Sequence, residues 1–259
     1  GDIKNTFYIG GAYRDEEGVQ IGNDYKRLSA KINFDHIANK RFQIGTKTTM
    51  VYEMNERVPT GWAGGLGTAQ SRSLPFMPVY DTTGKFFAPR SGTNPVAYDA
   101  DLTYGMQVFT TIGTIYGKLN FTDWLSLRVE GGANIYNQRE IRHVGTITQE
   151  KGYGMDRRVL IYNLSTKSYL DFDKTFMDVH NVTAMLGTSV ESRRQYESLF
   201  QGNEFPNPGL KHPNNAAIQS GSGYESGSGF LSYFTRVGYN YSDRYYLTFS
   251  VSRDGSSRF

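Results

Sequence analysis

Few side chains in this sequence could carry bond-breaking or metal chemistry, and they are scattered. His36, His143, His180 and His212 stand alone, with no HExxH or other paired-ligand spacing, so they read as surface or turn histidines rather than metal ligands. Cysteine is absent, which excludes a disulfide framework, a thiolate metal site and a cysteine nucleophile. Asp171 and Asp173, two apart, would share one face of a strand. That is the raw material of two-carboxylate glycoside hydrolysis, but nothing else assembles around them, and lining polarity is the plainer reading. Gly221, Gly223, Gly227 and Gly229 lie in SGSGYESGSG. A phosphate cradle needs an apolar strand before it and a GK[ST] after it; neither is there, so a flexible loop is expected. Asp15, Glu16 and Glu17 lack the alternating oxygen ligands of a calcium loop and are expected in a solvated hairpin loop. These residues point away from an enzyme and call for no cofactor and no metal. The richer chemistry is non-covalent: Trp62, Phe76, Tyr80, Phe86, Phe87 and Tyr98 crowd a long loop over 55 to 104, and exposed rings there would offer stacking faces to sugars or anchors to a partner protein.

The elements that would position that loop follow from a period of two. The even members of 125 to 136 are Ser126, Arg128, Glu130, Gly132, Asn134 and Tyr136; the odd ones are Leu125, Leu127, Val129, Gly131, Ala133 and Ile135. Leu28, Ala30, Ile32 and Phe34 alternate with Arg27, Ser29, Lys31, Asn33 and Asp35 in the same way. A slip of one residue would turn Arg27 and Lys31 onto the dry side, at about 2 to 4 kcal/mol each if that side meets lipid. Arg27, Lys31, Lys118, Arg128, Glu130 and Arg236 are therefore expected to face a polar lumen. About nine strands are read, near 6–13, 25–35, 41–54, 105–121, 125–141, 163–172, 180–192, 230–241 and 245–253, most of them long enough for a tilted strand to cross a bilayer. Short turns near 36–40, 122–124, 173–179 and 242–244 alternate with long loops over 14–24, 55–104, 142–162 and 193–229, the asymmetry of an up-and-down membrane barrel.

Composition agrees with strands and turns: of 259 residues, 19 are Tyr, 16 Phe and 29 Gly. With 28 basic against 25 acidic residues and no block of like charge, no nucleic-acid surface is implied. No run of 18 apolar residues occurs, so a membrane crossing would fall to closed β-structure. The expected fold is all-β, an antiparallel transmembrane β-barrel segment with long extracellular loops, residues 1–259 forming one part of a barrel whose remaining strands lie elsewhere, because an open edge is not viable in lipid.

The run FTRVGYNYSDRYYLTFSVSRDGSSRF, Phe234 to Phe259, closely resembles the late-barrel signature of SusC/RagA-type TonB-dependent outer-membrane transporters. GGAYRDEEGV near Gly10, LPFMPVYDTTGKF from Leu74, NPVAY from Asn94 and LDFDKTFMDVHNVTAMLGTSVE from Leu170 follow in the family's order, so the resemblance spans nearly the whole chain. It implies a barrel of about 22 strands closed by a plug, in the outer membrane of a Gram-negative bacterium of Bacteroidetes type. It further implies import of glycan or peptide nutrients driven through TonB, with a SusD-like surface lipoprotein as partner; the plug and the TonB box are not among these residues. Two other readings use the same strands, a non-transporting structural or adhesive barrel and a soluble carbohydrate-binding β-sandwich.

Overall fold

The computed structural model describes residues 4–59, 74–87, 94–147, 149–207 and 209–258. Nine antiparallel strands form one sheet in which each pairs with its sequence neighbour: β1 (Asn5–Glu17), β2 (Asp24–Ile37), β3 (Phe42–Glu56), β4 (Leu102–Thr122), β5 (Leu125–Val144), β6 (Tyr153–Phe176), β7 (His180–Asn203), β8 (Ile218–Tyr241) and β9 (Tyr245–Ser256). Among the described residues, one short α-helix, α1 (Pro95–Asp101), precedes β4.

Because directly paired residues share a face, the register sorts side chains across the whole sheet. One row runs Lys31, Thr49, Ile112, Asn134, Asn163, Arg193, Ser228 from β2 to β8. A cavity of about 640 Å³ is lined by members of that row together with Ser165, Glu191 and Ser256, so the sheet curls toward this polar face. The opposite, convex face carries Ile32, Ile115, Val129, Leu164, Leu186, Leu231 and Phe249, with Leu186 61% and Phe249 64% exposed. A row of bare aliphatic and aromatic side chains on one side of a polar-lined sheet is the pattern of a lipid-facing wall.

Aromatic residues flank this apolar face. At the short-turn end, Trp124 packs edge-on against Phe172 at 5.3 Å and lies under the Lys174 ammonium at 4.7 Å, while His180 sits 6.0 Å from Tyr239 and 5.1 Å from Tyr241. Toward the long-loop end, Tyr52 and Phe109 are cross-strand partners and Tyr162 meets Tyr196 at 6.4 Å. Rings with one polar edge belong where hydrocarbon gives way to headgroups.

The short turns are set by backbone conformation. Met177 (φ 51°) with Asp178 (φ 57°), and Ser242 (φ 49°) with Asp243 (φ 54°), are consecutive left-handed pairs, the two-residue geometry whose twist matches flanking strands. In the second, Asn240 Oδ1 accepts from the Asp243 amide at 3.0 Å, and Ser242 and Asp243 are of the polar types such turns favour, whereas Met177 is not.

All nine expected strands are present, and β6, β7 and β8 exceed their expected lengths most. β6, β7 and β8 each run 24 residues, so the loops expected over 142–162 and 193–229 shrink to 145–152 and 204–217. The glycine run expected as a flexible loop is strand: Gly221, Gly223, Gly227 and Gly229 pair along β7 from Phe200 to Ser192. Asp15, Glu16 and Glu17 likewise sit in β1, opposite Lys26, Tyr25 and Asp24, and only Gly18 to Asn23 remain as loop. In each case a long partner strand offers backbone hydrogen bonds that outweigh weak local propensity. At about 3.3 Å per residue, 24 residues span about 80 Å along the strand, far more than a tilted crossing of a hydrocarbon core about 30 Å thick requires. The extra length lies at the long-loop end, where the convex face turns polar with Arg139, Arg158 and Arg194.

Candidate functional site

All six residues expected in the lumen, Arg27, Lys31, Lys118, Arg128, Glu130 and Arg236, project from the concave face. Arg27 pairs with Glu53, Lys31 with Thr49, Lys118 with Arg128, Glu130 with Lys167, and Arg236 with Met185. Arg128 and Glu130 are drawn into one network. Arg128 Nη2 lies 2.6 Å from Glu130 Oε1, its guanidinium stacks 4.0 Å above the Tyr116 ring, and Glu130 accepts from the Tyr169 hydroxyl. Tyr116 in turn donates to Asp35 across β3 and receives Gln43 Nε2 at 3.3 Å. The crossing works because β3 has Gly45 at that point: a Cβ there would sit 2.3 Å from Asp35 Oδ1 and 2.5 Å from the Tyr116 ring. Lys31 lies 6.0 Å from the Tyr8 ring, apart from this network, and Arg27 and Arg236 are on other parts of the face.

A second network, higher on the same face, escapes sequence reasoning. Glu140 is buried; it accepts from the Tyr104 hydroxyl at 2.8 Å and from Arg57 Nη1 at 3.3 Å, and lies 3.6 Å from Arg157, whose Nε donates to Glu197 at 2.8 Å. Arg157 and Glu197 fall where loops were expected, and Glu140, inside the expected strand, continues the even-numbered polar set of β5 beyond the stretch 125 to 136 in which the alternation was followed. Following that alternation four residues further would have reached Glu140. A buried carboxylate shared by two guanidiniums and a phenol ties the wall of four strands together.

The described part of the aromatic loop over 74–87 is braced by its own hydrogen bonds. Asp81 caps a turn by accepting from the Thr83 amide at 2.7 Å, the Thr83 hydroxyl at 2.7 Å and the Lys85 amide at 3.0 Å, and Gly84 supplies the left-handed residue at φ 80°. The Thr83 hydroxyl and amide hold the Asp81 carboxyl below its ordinary range. Across this turn Tyr80 bridges to Phe86, their rings stacked at 5.1 Å. Asn94 then joins loop to helix. Its Oδ1 caps α1 by accepting from Val96 and Ala97 at 3.1 and 3.3 Å, and its Nδ2 donates to the carbonyls of Val79 at 2.8 Å and Phe87 at 3.2 Å. Of the six rings expected as a contact surface, Phe76 is 81% exposed and Tyr80 54%, Phe86 and Phe87 are half-buried, and Trp62 lies outside the described residues. Tyr98 departs from the expected exposure: it is 8% exposed and packed against Val58 and Leu102, and so pins the loop to the start of β4.

The histidines do not converge, and no cluster of three metal-ligating side chains occurs among the described residues. Asp171 and Asp173 share the concave face as their spacing requires, and Asp173 accepts from Asn181 Nδ2 at 2.9 Å.

No family model matches the chain. Among curated proteins it is similar to a TonB-dependent receptor of Formosa agariphila, 29% identical over all of this chain and 25% of that protein. It is also similar to the TonB-dependent receptor SusC of Bacteroides thetaiotaomicron, 24% identical over all of this chain and 28% of that protein. The chain thus spans about a quarter of the length of the curated relatives it matches. Among solved structures, the RagAB peptide transporter superposes with a TM-score of 0.83 at 18% identity, over all of this chain and 31% of that one. The ferric preacinetobactin receptor BauA of Acinetobacter baumannii superposes with a TM-score of 0.57 at 13% identity, over 98% of this chain and 38% of that one; at such identities both likenesses speak for the fold. In sequence along its whole length, and in the nine-stranded wall with one polar and one apolar face, the chain resembles a stretch of the barrel of the SusC/RagA-type TonB-dependent receptors.

Proposed function

We propose that this chain is part of the barrel wall of an outer-membrane importer, and that solute passes along its concave face. The observation that carries the reading is the division of the sheet: a polar, ion-paired concave face with a 640 Å³ cavity, backed by an apolar convex face edged with aromatic rings. A wall of this kind separates water from lipid, and the likeness in fold to the RagAB peptide importer supports uptake as the direction of work. In this reading the wall closes into a barrel of about 22 strands with a plug and a TonB box supplied by other parts of a longer protein. Arg27, Lys31, Lys118, Arg128, Glu130 and Arg236 line the lumen.

The cargo is an oligomeric nutrient, a glycan or a peptide, taken from a SusD-like surface lipoprotein. The exposed rings of Phe76 and Tyr80 stand on a loop braced by Asp81 and Asn94, which is what a contact surface for sugars or a partner protein requires. The test replaces Phe76 and Tyr80 with Ala in the full-length protein and measures uptake of oligosaccharides and peptides by cells, with surface abundance checked in parallel. Loss of uptake at normal abundance supports the loop's role; unchanged uptake removes it. Purification of the full-length protein in buffer without detergent would instead overturn the membrane reading and favour the soluble sandwich.

A further inference from the structure

The convex face carries a second, charged groove where its apolar surface ends. Tyr52, Phe109, Gln107, Asn137, Arg139 and Arg158 line a cavity of about 280 Å³ on β3 to β6. The register makes Arg139 and Arg158 direct cross-strand partners, an arrangement of like charges that costs free energy unless an anion lies between them. The lining holds no carboxylate. Asp156, beside it, is largely buried: it lies 2.8 Å from Arg139, 3.6 Å from Arg158 and 3.8 Å from His212 Nε2, one negative charge set against two guanidiniums. Lys211 adds a further cation nearby, with Nζ 3.3 Å from the hydroxyl of Thr103 on the same face. Directly below lie Phe109, Ile135 and Leu160, the start of the lipid-facing surface.

We propose that this groove binds the phosphorylated headgroup of an outer-leaflet lipid, with the Arg139 and Arg158 guanidiniums on the phosphate and the acyl chains along Phe109, Ile135 and Leu160. The inference rests on the membrane reading above. The chemistry follows from position: paired guanidiniums present several N–H donors to a phosphate, Gln107 and Asn137 add amide donors at the rim, and the apolar slope beneath suits hydrocarbon and not a free ion.

The test incubates the full-length protein in dodecyl maltoside micelles with diphosphoryl lipid A, and measures lipid retained per protein after gel filtration. Arg158→Gln is the first variant, since it leaves the 2.8 Å Arg139–Asp156 bond in place; Arg139→Gln with Arg158→Gln is the second, and heat-modifiable gel mobility shows that each is folded. Retention by the native protein, reduced about tenfold in Arg158→Gln, with no retention of phosphatidylcholine and no displacement by inorganic phosphate, is the expected result. Equal retention by native and folded variant proteins, equal retention of phosphatidylcholine, or full displacement by inorganic phosphate, the mark of a free-anion site, would each overturn it. A lipid-free native protein that elutes as a dimer would assign the groove to a second copy and overturn it too. Failure of the membrane reading is separate, because it would show as full-length protein that needs no detergent at all.

Discussion

The Arg128 guanidinium lies over the Tyr116 ring at 4.0 Å, and the hydroxyl of that same ring reaches past Gly45 to Asp35, so one tyrosine links β2, β4 and β5 on the concave face. Each partner is held by a different interaction, and single substitutions separate them. Tyr116→Phe keeps the stacking and loses the hydrogen bond, and is expected to cost about 1 kcal/mol. Arg128→Ala loses the stacking and leaves Glu130 with one partner fewer, at about 1 to 3 kcal/mol. Gly45→Ala should cost at least as much as Tyr116→Phe, because its methyl group occupies the crossing itself. Urea unfolding of the detergent-folded protein measures all three.

The two faces should respond oppositely to charge. Leu186→Arg places a guanidinium on the apolar convex face and is expected to destabilise the protein in lipid bilayers by about 2 to 4 kcal/mol, whereas Ser165→Arg, on the concave face opposite Glu191 and lining its cavity, should change stability by less than about 1 kcal/mol. Folding titrations in liposomes provide the comparison.

Met177 occupies a left-handed position that costs a side chain with a long γ-branchless stem about 1 kcal/mol, whereas its neighbour Asp178 is of a type that tolerates it. Met177→Gly is therefore expected to stabilise the β6–β7 hairpin by about 0.5 to 1 kcal/mol, seen as a higher midpoint in the same urea unfolding.

Asn94 and Asp81 brace the aromatic loop by different bonds. Asn94→Ala removes the cap of α1 and two bonds to loop carbonyls, and is expected to expose the 74–87 segment to limited proteolysis while leaving the strands protected. Asp81 titrates in the other direction from a basic group. Its folded carboxyl sits below the ordinary value of 3.8, so its contribution is complete above that value and is lost as pH falls through the lower folded value. Hydrogen exchange at the Thr83 and Lys85 amides should thus keep the same protection from pH 8 down to about 5, once the intrinsic pH dependence of exchange is divided out, and Asp81→Ala should remove it throughout.

Much of this was legible in the sequence because the governing signal is a period of two. Register follows from it, and with register the common face of Arg27, Lys31, Lys118, Arg128, Glu130 and Arg236. The signal fades where neither face has to be apolar. From 193 to 203 and 218 to 229 both faces meet water, serines and glycines replace many of the aliphatic residues, and strand is maintained by the pairing of β7 with β8. The same lack of contrast hid Arg157 and Glu197 and therefore the Glu140 network. Tyr98 misled for another reason: composition marks a loop as aromatic but does not say which ring is turned inward, and only the proximity of Val58 and Leu102 decides that.

The overhang of β6, β7 and β8 beyond the lipid has an evolutionary consequence. Its backbone bonds are made strand to strand, and its side chains owe nothing to a bilayer. Residues can be gained or lost there two at a time on each strand of a hairpin, preserving alternation and leaving every membrane-embedded contact in register. The height of the rim, and with it the reach of whatever loops it carries, is free to drift in steps of about 7 Å while the part in lipid stays fixed.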